Sequence, residues 1–91
     1  SDPGLMDDLA ARSLAPLEEL TPAARERLEA TLLAWLDNQG VVRDAAEELH
    51  VHPQTVRYRV AQLRELLGDA MDDASARYEL LLALRGRTLG Q

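Results

Sequence analysis

Residues 49–64, with the sequence LHVHPQTVRYRVAQLR, concentrate side chains that can hold an anion or form hydrogen bonds at a polar surface. The stretch carries guanidinium, amide, hydroxyl, phenol and imidazole groups, and it contains no carboxylate. The whole chain of 91 residues has ten Arg against sixteen Asp and Glu, and its net charge is −6. Three Arg give this stretch +3, while the seven other Arg and the sixteen acids leave −9 for the remainder. An acidic chain therefore keeps one segment free of negative charge.

The residue types give little support for a metal site or for a catalytic site. His50 and His52 form a His-x-His pair, but only distant carboxylates could complete a metal site, and cysteine is absent. We therefore expect no metal and no cofactor. No serine stands in a nucleophile motif, no glycine-rich phosphate loop occurs, and the pair Asp72-Asp73 is explained as a helix cap. The sequence predicts that the protein is not an enzyme.

Helices must position the side chains of the acid-free stretch. Leu, Ala, Glu and Arg form helices well, and β-branched residues are few, which favours an all-α domain. No apolar run approaches the ~18 residues of a membrane span, and we expect a cytoplasmic protein without a membrane partner. Thr21-Pro22 opens one helix and Gly40 supplies a left-handed end for it. Helical spacing predicts that this helix buries Leu28, Leu32, Trp35 and Leu36.

Two helices and a tight connector follow. A short helix covers about Val42 to Leu49, the connector is His50-Val51-His52, and Pro53 starts the next helix, which Gly68 stops. Two helices joined by a turn of three to four residues form a helix-turn-helix motif. A last helix, capped by Asp72 or Asp73, carries Tyr78, Leu81, Leu82 and Arg85 on one side. The spacing thus predicts a small all-α bundle of about five helices that contains a helix-turn-helix.

The helix that begins at Pro53 has one apolar and one polar side. Its buried stripe is Val56, Val60, Leu63 and Leu67. The opposite side shows Gln54, Tyr58, Ala61 and Gln62, with Arg57 and Arg64 along one edge and Thr55 and Arg59 along the other. Amides and guanidinium groups read base edges, and hydroxyls and Arg hold phosphates. Because a carboxylate would repel the phosphate backbone, the acid-free side is suited to approach DNA.

These residues resemble a known family of DNA-binding domains. The pattern Ala45-Ala46-x-x-Leu49-x-Val51-His52-x-x-Thr55-Val56-x-Tyr58-Arg59 is similar to the helix-turn-helix of the Fis class, and more closely to the carboxy-terminal domain of PucR/CdaR-type bacterial transcriptional regulators. The segments TLLAWLDNQG, ELLG and LLLALR stand in the family's order around it, so the resemblance covers about residues 17–87. It implies a DNA-binding domain of a longer regulator, with a sensory amino-terminal domain that is not in this chain.

The resemblance also implies roles for individual residues and for a partner. Thr55 and Arg59 would hold phosphates, and His52 would cap the helix or touch the DNA backbone. Base readout would rest on Gln54 and Arg57, with Tyr58 beside them and Gln62 as a further candidate, while Arg64 has two open interpretations, a phosphate contact or an intramolecular ion pair. The partner would be double-stranded DNA, bound by a homodimer on repeated half-sites.

Two domain-level hypotheses follow. The first divides the chain into a linker or helical segment over residues 1–20 and a DNA-binding domain over residues 21–88. The second is a helical protein-interaction or dimerisation domain without direct DNA contact, with Leu5, Leu9, Leu14 and Leu17 as its exposed apolar face.

Overall fold

The computed structural model describes residues 3–89, and every regular element within them is helical, which confirms the all-α prediction. The five α-helices are α1 (Pro3–Leu14), α2 (Pro22–Asp37), α3 (Val42–Leu49), α4 (Pro53–Leu67) and α5 (Ala74–Leu89). Two 3-10 turns, Ala15–Leu17 and Gly68–Met71, follow α1 and α4. Helices α3 and α4 pack on α2, and α1 packs mainly along α5.

Helix α2 lies at the centre of the core. Its predicted start is confirmed, because Thr21 Oγ1 accepts a hydrogen bond from the Ala24 N–H at 3.2 Å and Pro22 occupies the first helical position. The four residues of its predicted stripe are all buried: Leu28, Leu32, Trp35 and Leu36. Helices α3, α4 and α5 all contact α2, so this one helix fixes where the helix-turn-helix sits.

The end of α2 differs in one detail from the sequence-based prediction. The first left-handed residue after the helix is Gln39, with φ +51°, and Gly40 follows with φ +80°. The Gly40 N–H donates to the Trp35 carbonyl at 2.8 Å and the Gln39 N–H donates to the Leu36 carbonyl at 3.1 Å. This pair of bonds is the Schellman arrangement. Glycine is favoured at position 40, because φ is positive there and an added Cβ would lie 3.3 Å from Trp35 Cζ2.

The side of α5 on which the sequence placed Tyr78, Leu81, Leu82 and Arg85 is not the side that is buried most deeply. Leu80, Ala83 and Leu84 are buried, whereas Tyr78 is 63% exposed and Arg85 is exposed. The reason is that residues 80–84 are all apolar, so the periodicity does not identify the inner side. Gly86 lies inside α5.

The leucines of the amino-terminal segment do not form one exposed face. Leu14 and Leu17 have no exposed surface and belong to the same core as α2 and α4. Leu5 is 61% exposed and Leu9 is half-buried. The proposed apolar docking face of four leucines is therefore wrong for Leu14 and Leu17, because α1 packs along α5 and the turn after it contacts α4.

A cluster of ion pairs connects residues 18–29 with Arg87, near the carboxyl end of α5. Glu18 accepts hydrogen bonds from Arg25 at 2.8 Å and from Arg87 at 3.0 Å, and Arg87 also donates to Glu29 at 2.7 Å. The hydrogen bond from Arg87 is the largest cause that lowers the pKa of the Glu18 carboxyl, and the charges of both Arg side chains add to it. The cluster ties α5 to α2 and to the turn that follows α1.

Two glycine substitutions should change stability in opposite directions. We expect Gly40→Ala to lower the free energy of unfolding by about 1–2 kcal/mol, because an L-residue is disfavoured at a left-handed φ and its Cβ would press on Trp35. Gly86→Ala should raise it by about 0.5–1 kcal/mol, since the site is helical and no atom lies within 4 Å of the new Cβ. Urea unfolding monitored by circular dichroism measures both. Shifts of the same sign would contradict this assignment of the two positions.

The Glu18 cluster should make stability sensitive to acid. Since the folded-state pKa of Glu18 is lowered, its contribution is present above the pKa of the unfolded chain, about 4.3, and is lost as the pH falls through the folded-state pKa. We expect the free energy of unfolding to fall more steeply below pH ~4.3 in the wild type than in Glu18→Gln. The control is Glu19→Gln, an exposed neighbour without an ion pair among residues 3–89, which should keep the wild-type profile. Parallel profiles for the wild type and Glu18→Gln would contradict the prediction.

Candidate nucleic-acid interface

The turn between α3 and α4 is held by backbone geometry and by one imidazole. His50 ends α3 in the left-handed conformation, with φ 57° and ψ 42°, and the Val51 N–H donates to the Ala46 carbonyl at 3.1 Å. His52 Nδ1 then accepts a hydrogen bond from the Gln54 N–H at 3.0 Å, so its side chain caps α4. Pro53 occupies the first helical position, as predicted. The direction in which α4 leaves the turn is therefore set before the helix begins.

The apolar stripe of α4 points into the core as the sequence predicted. Val56 and Leu63 have no exposed surface, Val60 is 4% exposed, and Leu67 is half-buried at the carboxyl end. Ala45 and Ala46 of α3 are also buried, at 0% and 2%, which allows α3 and α4 to approach closely. Burial of this stripe fixes the rotation of α4 about its own axis.

The outward face of α4, which we define as Gln54, Arg57, Tyr58 and Ala61, is exposed along its whole length. Tyr58 is 65% exposed, so it does not pack on a neighbouring helix. Arg57 Nη1 donates to Gln54 Oε1 at 3.3 Å, which holds an amide and a guanidinium group side by side one turn apart. No carboxylate within residues 3–89 pairs with Arg57. The face therefore offers hydrogen-bonding groups whose positive charge is not neutralised.

The second edge of α4 consists of Thr55, Arg59 and Gln62, which are half-buried. Arg59 Nη1 donates to Thr31 Oγ1 of α2 at 3.2 Å. Thr31 is fully buried, and its hydroxyl donates in turn to the Arg27 carbonyl at 2.9 Å. The spacing of residues in α2 and α4 did not predict this contact. A polar Thr between Leu28 and Leu32 in an otherwise apolar stripe is the signal that could have found it.

Arg64, at the far end of α4, has partners within the chain. Its guanidinium group donates to both carboxylate oxygens of Asp72, at 3.0 and 3.4 Å, and lies 5.6 Å from the centre of the Trp35 ring. Arg77 stacks on the same ring at 4.6 Å. The hydrogen bond from Arg64 is the main cause that lowers the pKa of Asp72, with smaller contributions from the charges of Arg64 and Arg77. Of the two open interpretations, an intramolecular pair is the one that the structure contains, while Asp73 caps α5.

Some Arg residues form ion pairs with acids of the same chain and others do not. Within residues 3–89 the ion pairs involve Arg25, Arg64, Arg85 and Arg87. Arg57 and Arg59, which belong to the first half of α4, have no acid partner there. Arg43, in the first turn of α3, is exposed and also lacks an acid partner there, and it was not among the residues predicted to bind DNA. Positive charge is therefore available at the turn and at the beginning of α4.

A shallow groove runs beside the outward face of α4. Its lining combines Arg57 and Arg64 with the apolar side chains of Trp35, Val42 and Val60. Among residues 3–89 no group of three or more His, Cys, Asp or Glu side chains is arranged to hold a metal ion. Within the same residues, no helix combines the length and the hydrophobicity that crossing a membrane requires.

Comparison with known proteins identifies relatives of this chain. Residues 28–86 match the family described as the PucR C-terminal helix-turn-helix domain. The purine catabolism regulatory protein of Bacillus subtilis is 37% identical over 59 residues, which is 65% of this chain and 11% of that protein. Uncharacterized proteins of Mycobacterium bovis and Mycobacterium tuberculosis are 33% identical over 78 residues, which is 86% of this chain and 17% of each protein.

The chain thus spans less than a fifth of the length of these curated relatives. No solved structure matches it significantly. The family match covers α3, the turn and α4 completely, together with most of α2 and of α5. The expected resemblance is confirmed: the chain belongs to the PucR C-terminal helix-turn-helix family of transcriptional regulators.

Proposed function

We propose that this chain is the sequence-specific DNA-binding domain of a bacterial PucR/CdaR-type transcriptional regulator and that α4 enters the major groove. One observation carries the proposal: the outward face of the amino-terminal half of α4 is exposed, free of carboxylates and provided with Arg57 beside Gln54. The amino-terminal part of a recognition helix is the part that contacts base edges. The family membership supports DNA binding in general, and this geometry supports the specific face.

In this proposal, side chains at different positions of α4 make different contacts with DNA. Arg57 and Gln54 read base edges, since a guanidinium group suits guanine and an amide suits adenine. Tyr58 lies beside them, and Gln62 extends the readout toward the middle of the helix. Thr55 and Arg59 hold phosphates on the second edge, and His52 keeps the first turn of α4 in place through its cap. Because Arg64 already pairs with Asp72, we expect Arg64 to contribute less to DNA affinity than Arg57.

Net charge does not argue against this function. Screening confines each charge to about 8 Å at physiological salt, so the acids on other surfaces affect the outward face of α4 only weakly. An acidic domain with few phosphate contacts should nevertheless bind weakly as a single unit. We therefore propose a homodimer whose two recognition helices lie about 34 Å apart, one turn of DNA. The greater length of the curated relatives supports a longer protein. We propose that the longer protein carries a sensory amino-terminal domain and acts in the bacterial cytoplasm.

The substitution that tests the proposal is Arg57→Ala. It should weaken binding to the preferred DNA site by about 1–3 kcal/mol and relax the discrimination between sites. The preferred site is first obtained by selecting duplexes from a random pool with this chain. Fluorescence anisotropy at low salt then compares the selected duplex with a scrambled one of equal length and composition.

Arg12→Ala is the matched control, since it removes the same charge from an exposed Arg of α1 that has no acid partner within residues 3–89. Its affinity for both duplexes should stay close to that of the wild type. Equal ratios of the two affinities in the wild type and in Arg57→Ala would contradict the proposal, as would a selection that enriches no sequence.

A further inference from the structure

Thr31 is the buried polar residue of the part of the chain that the structure describes, and its hydroxyl needs an explanation. The side chain has no exposed surface and lies between the apolar residues Leu28 and Leu32. Valine would fill the same volume without a polar group. The hydroxyl donates to the Arg27 carbonyl and accepts from Arg59 Nη1, at 2.9 and 3.2 Å. Unlike a valine side chain, Thr31 can therefore accept a hydrogen bond from the guanidinium group of a residue that lies 28 positions away in the chain.

The same hydroxyl brings the backbone of Arg27 close to Arg59. Two hydrogen bonds connect the Arg27 carbonyl to the guanidinium group of Arg59 through Thr31 Oγ1. The side chain of Arg27 is exposed, and within residues 3–89 neither Arg27 nor Arg59 pairs with an acid. In an acidic chain, two unneutralised Arg residues that are connected through one buried hydroxyl favour an anion from outside the molecule.

The position of this edge indicates which anion it would meet. Thr55, Arg59 and Gln62 lie along one side of the outward face of α4, and Arg57 lies on the other side. A helix in the major groove has a phosphate backbone on each side, and contacts to phosphates position it without reading sequence. Arg59, held against α2, would face one of these backbones, and Arg27 of α2 would lie on the same side. Arg27 stands immediately before the family match, which begins at residue 28.

We propose that Thr31 is a positioning residue that holds Arg59 toward one DNA strand and that Arg27 provides a second phosphate contact on that strand. This inference rests on the proposed function, and it assigns to α2 a direct part in binding. The ligand class is the phosphodiester of duplex DNA. Arg59 and Arg27 should therefore add affinity for every sequence, whereas Arg57 and Gln54 should distinguish between sequences.

The paired variants Thr31→Val and Thr31→Ser separate positioning from packing. Thr31→Val keeps the buried volume and removes the hydroxyl, so it should unfold at nearly the wild-type temperature and lose part of the DNA affinity. Thr31→Ser keeps the hydroxyl and loses a buried methyl group, so it should unfold at a lower temperature and bind DNA as the wild type does. A purely structural role would make the less stable variant the weaker binder, which is the opposite order.

Salt dependence tests the phosphate contacts themselves. Each contact contributes a slope of about −0.9, so loss of one contact should lower the ratio of the Kd at 200 mM salt to the Kd at 50 mM salt by about 3.5-fold. We expect this reduction for Arg27→Gln and for Arg59→Gln on both the selected and the scrambled duplex. Arg12→Gln, the same change on α1, should keep the wild-type ratio. Adding Thr31→Val to Arg59→Gln should cause no further loss, since Thr31 acts through Arg59.

The outcomes distinguish this inference from the proposed function. If Arg57→Ala leaves discrimination between duplexes unchanged, the proposed function fails and this inference fails with it. If Arg57→Ala relaxes discrimination but Thr31→Val binds as the wild type and Arg27→Gln matches Arg12→Gln, only the role of Thr31 and Arg27 is overturned. Equal loss of affinity in Thr31→Val and Thr31→Ser would also overturn the positioning role.

Discussion

The burial of one apolar stripe on α4 is the constraint on which the rest of the structure depends. Val56, Val60 and Leu63 are buried at 0%, 4% and 0% exposure, and a helix that buries one side can display only the other. A rotation of α4 by one residue, about 100°, would expose these side chains and bury polar ones, which the hydrophobic effect and the desolvation of Arg both oppose. Packing in the core therefore decides which groups reach the surface.

The ends of the helices determine where that face is presented. The Gly40 turn ends α2 against Trp35, the left-handed His50 ends α3, and the His52 side chain together with Pro53 begins α4. Each device satisfies backbone groups that a helix end leaves unpaired. Only a few residues lie between consecutive helices here, so there is little freedom for α4 to shift relative to α2. A rigid support of this kind is what recognition by side chains on one helix requires.

The distribution of acids explains how an acidic chain can present a positive surface. Asp72, Asp37, Glu18 and Glu29 form ion pairs with Arg residues that lie outside the first half of α4. Exposed ion pairs of this kind add little stability each, and their main effect here is on where charge remains available. No carboxylate within the described part of the chain pairs with Arg57 or Arg59, so their positive charge is not neutralised locally. The groups proposed to bind phosphate and base edges are thus among those left unneutralised.

The sequence by itself determined the helices, the order of the motif and the outward orientation of Gln54 and Arg57. These properties are local, because capping residues and the spacing of apolar side chains act within one helix. Only the tertiary structure decided which face of α5 is buried, that Leu14 and Leu17 belong to the core, and that Arg64 pairs with Asp72 while Arg59 reaches Thr31. In α5 five consecutive apolar residues gave no periodic signal, and the Arg contacts depend on how separate helices pack, which no pattern within one helix contains.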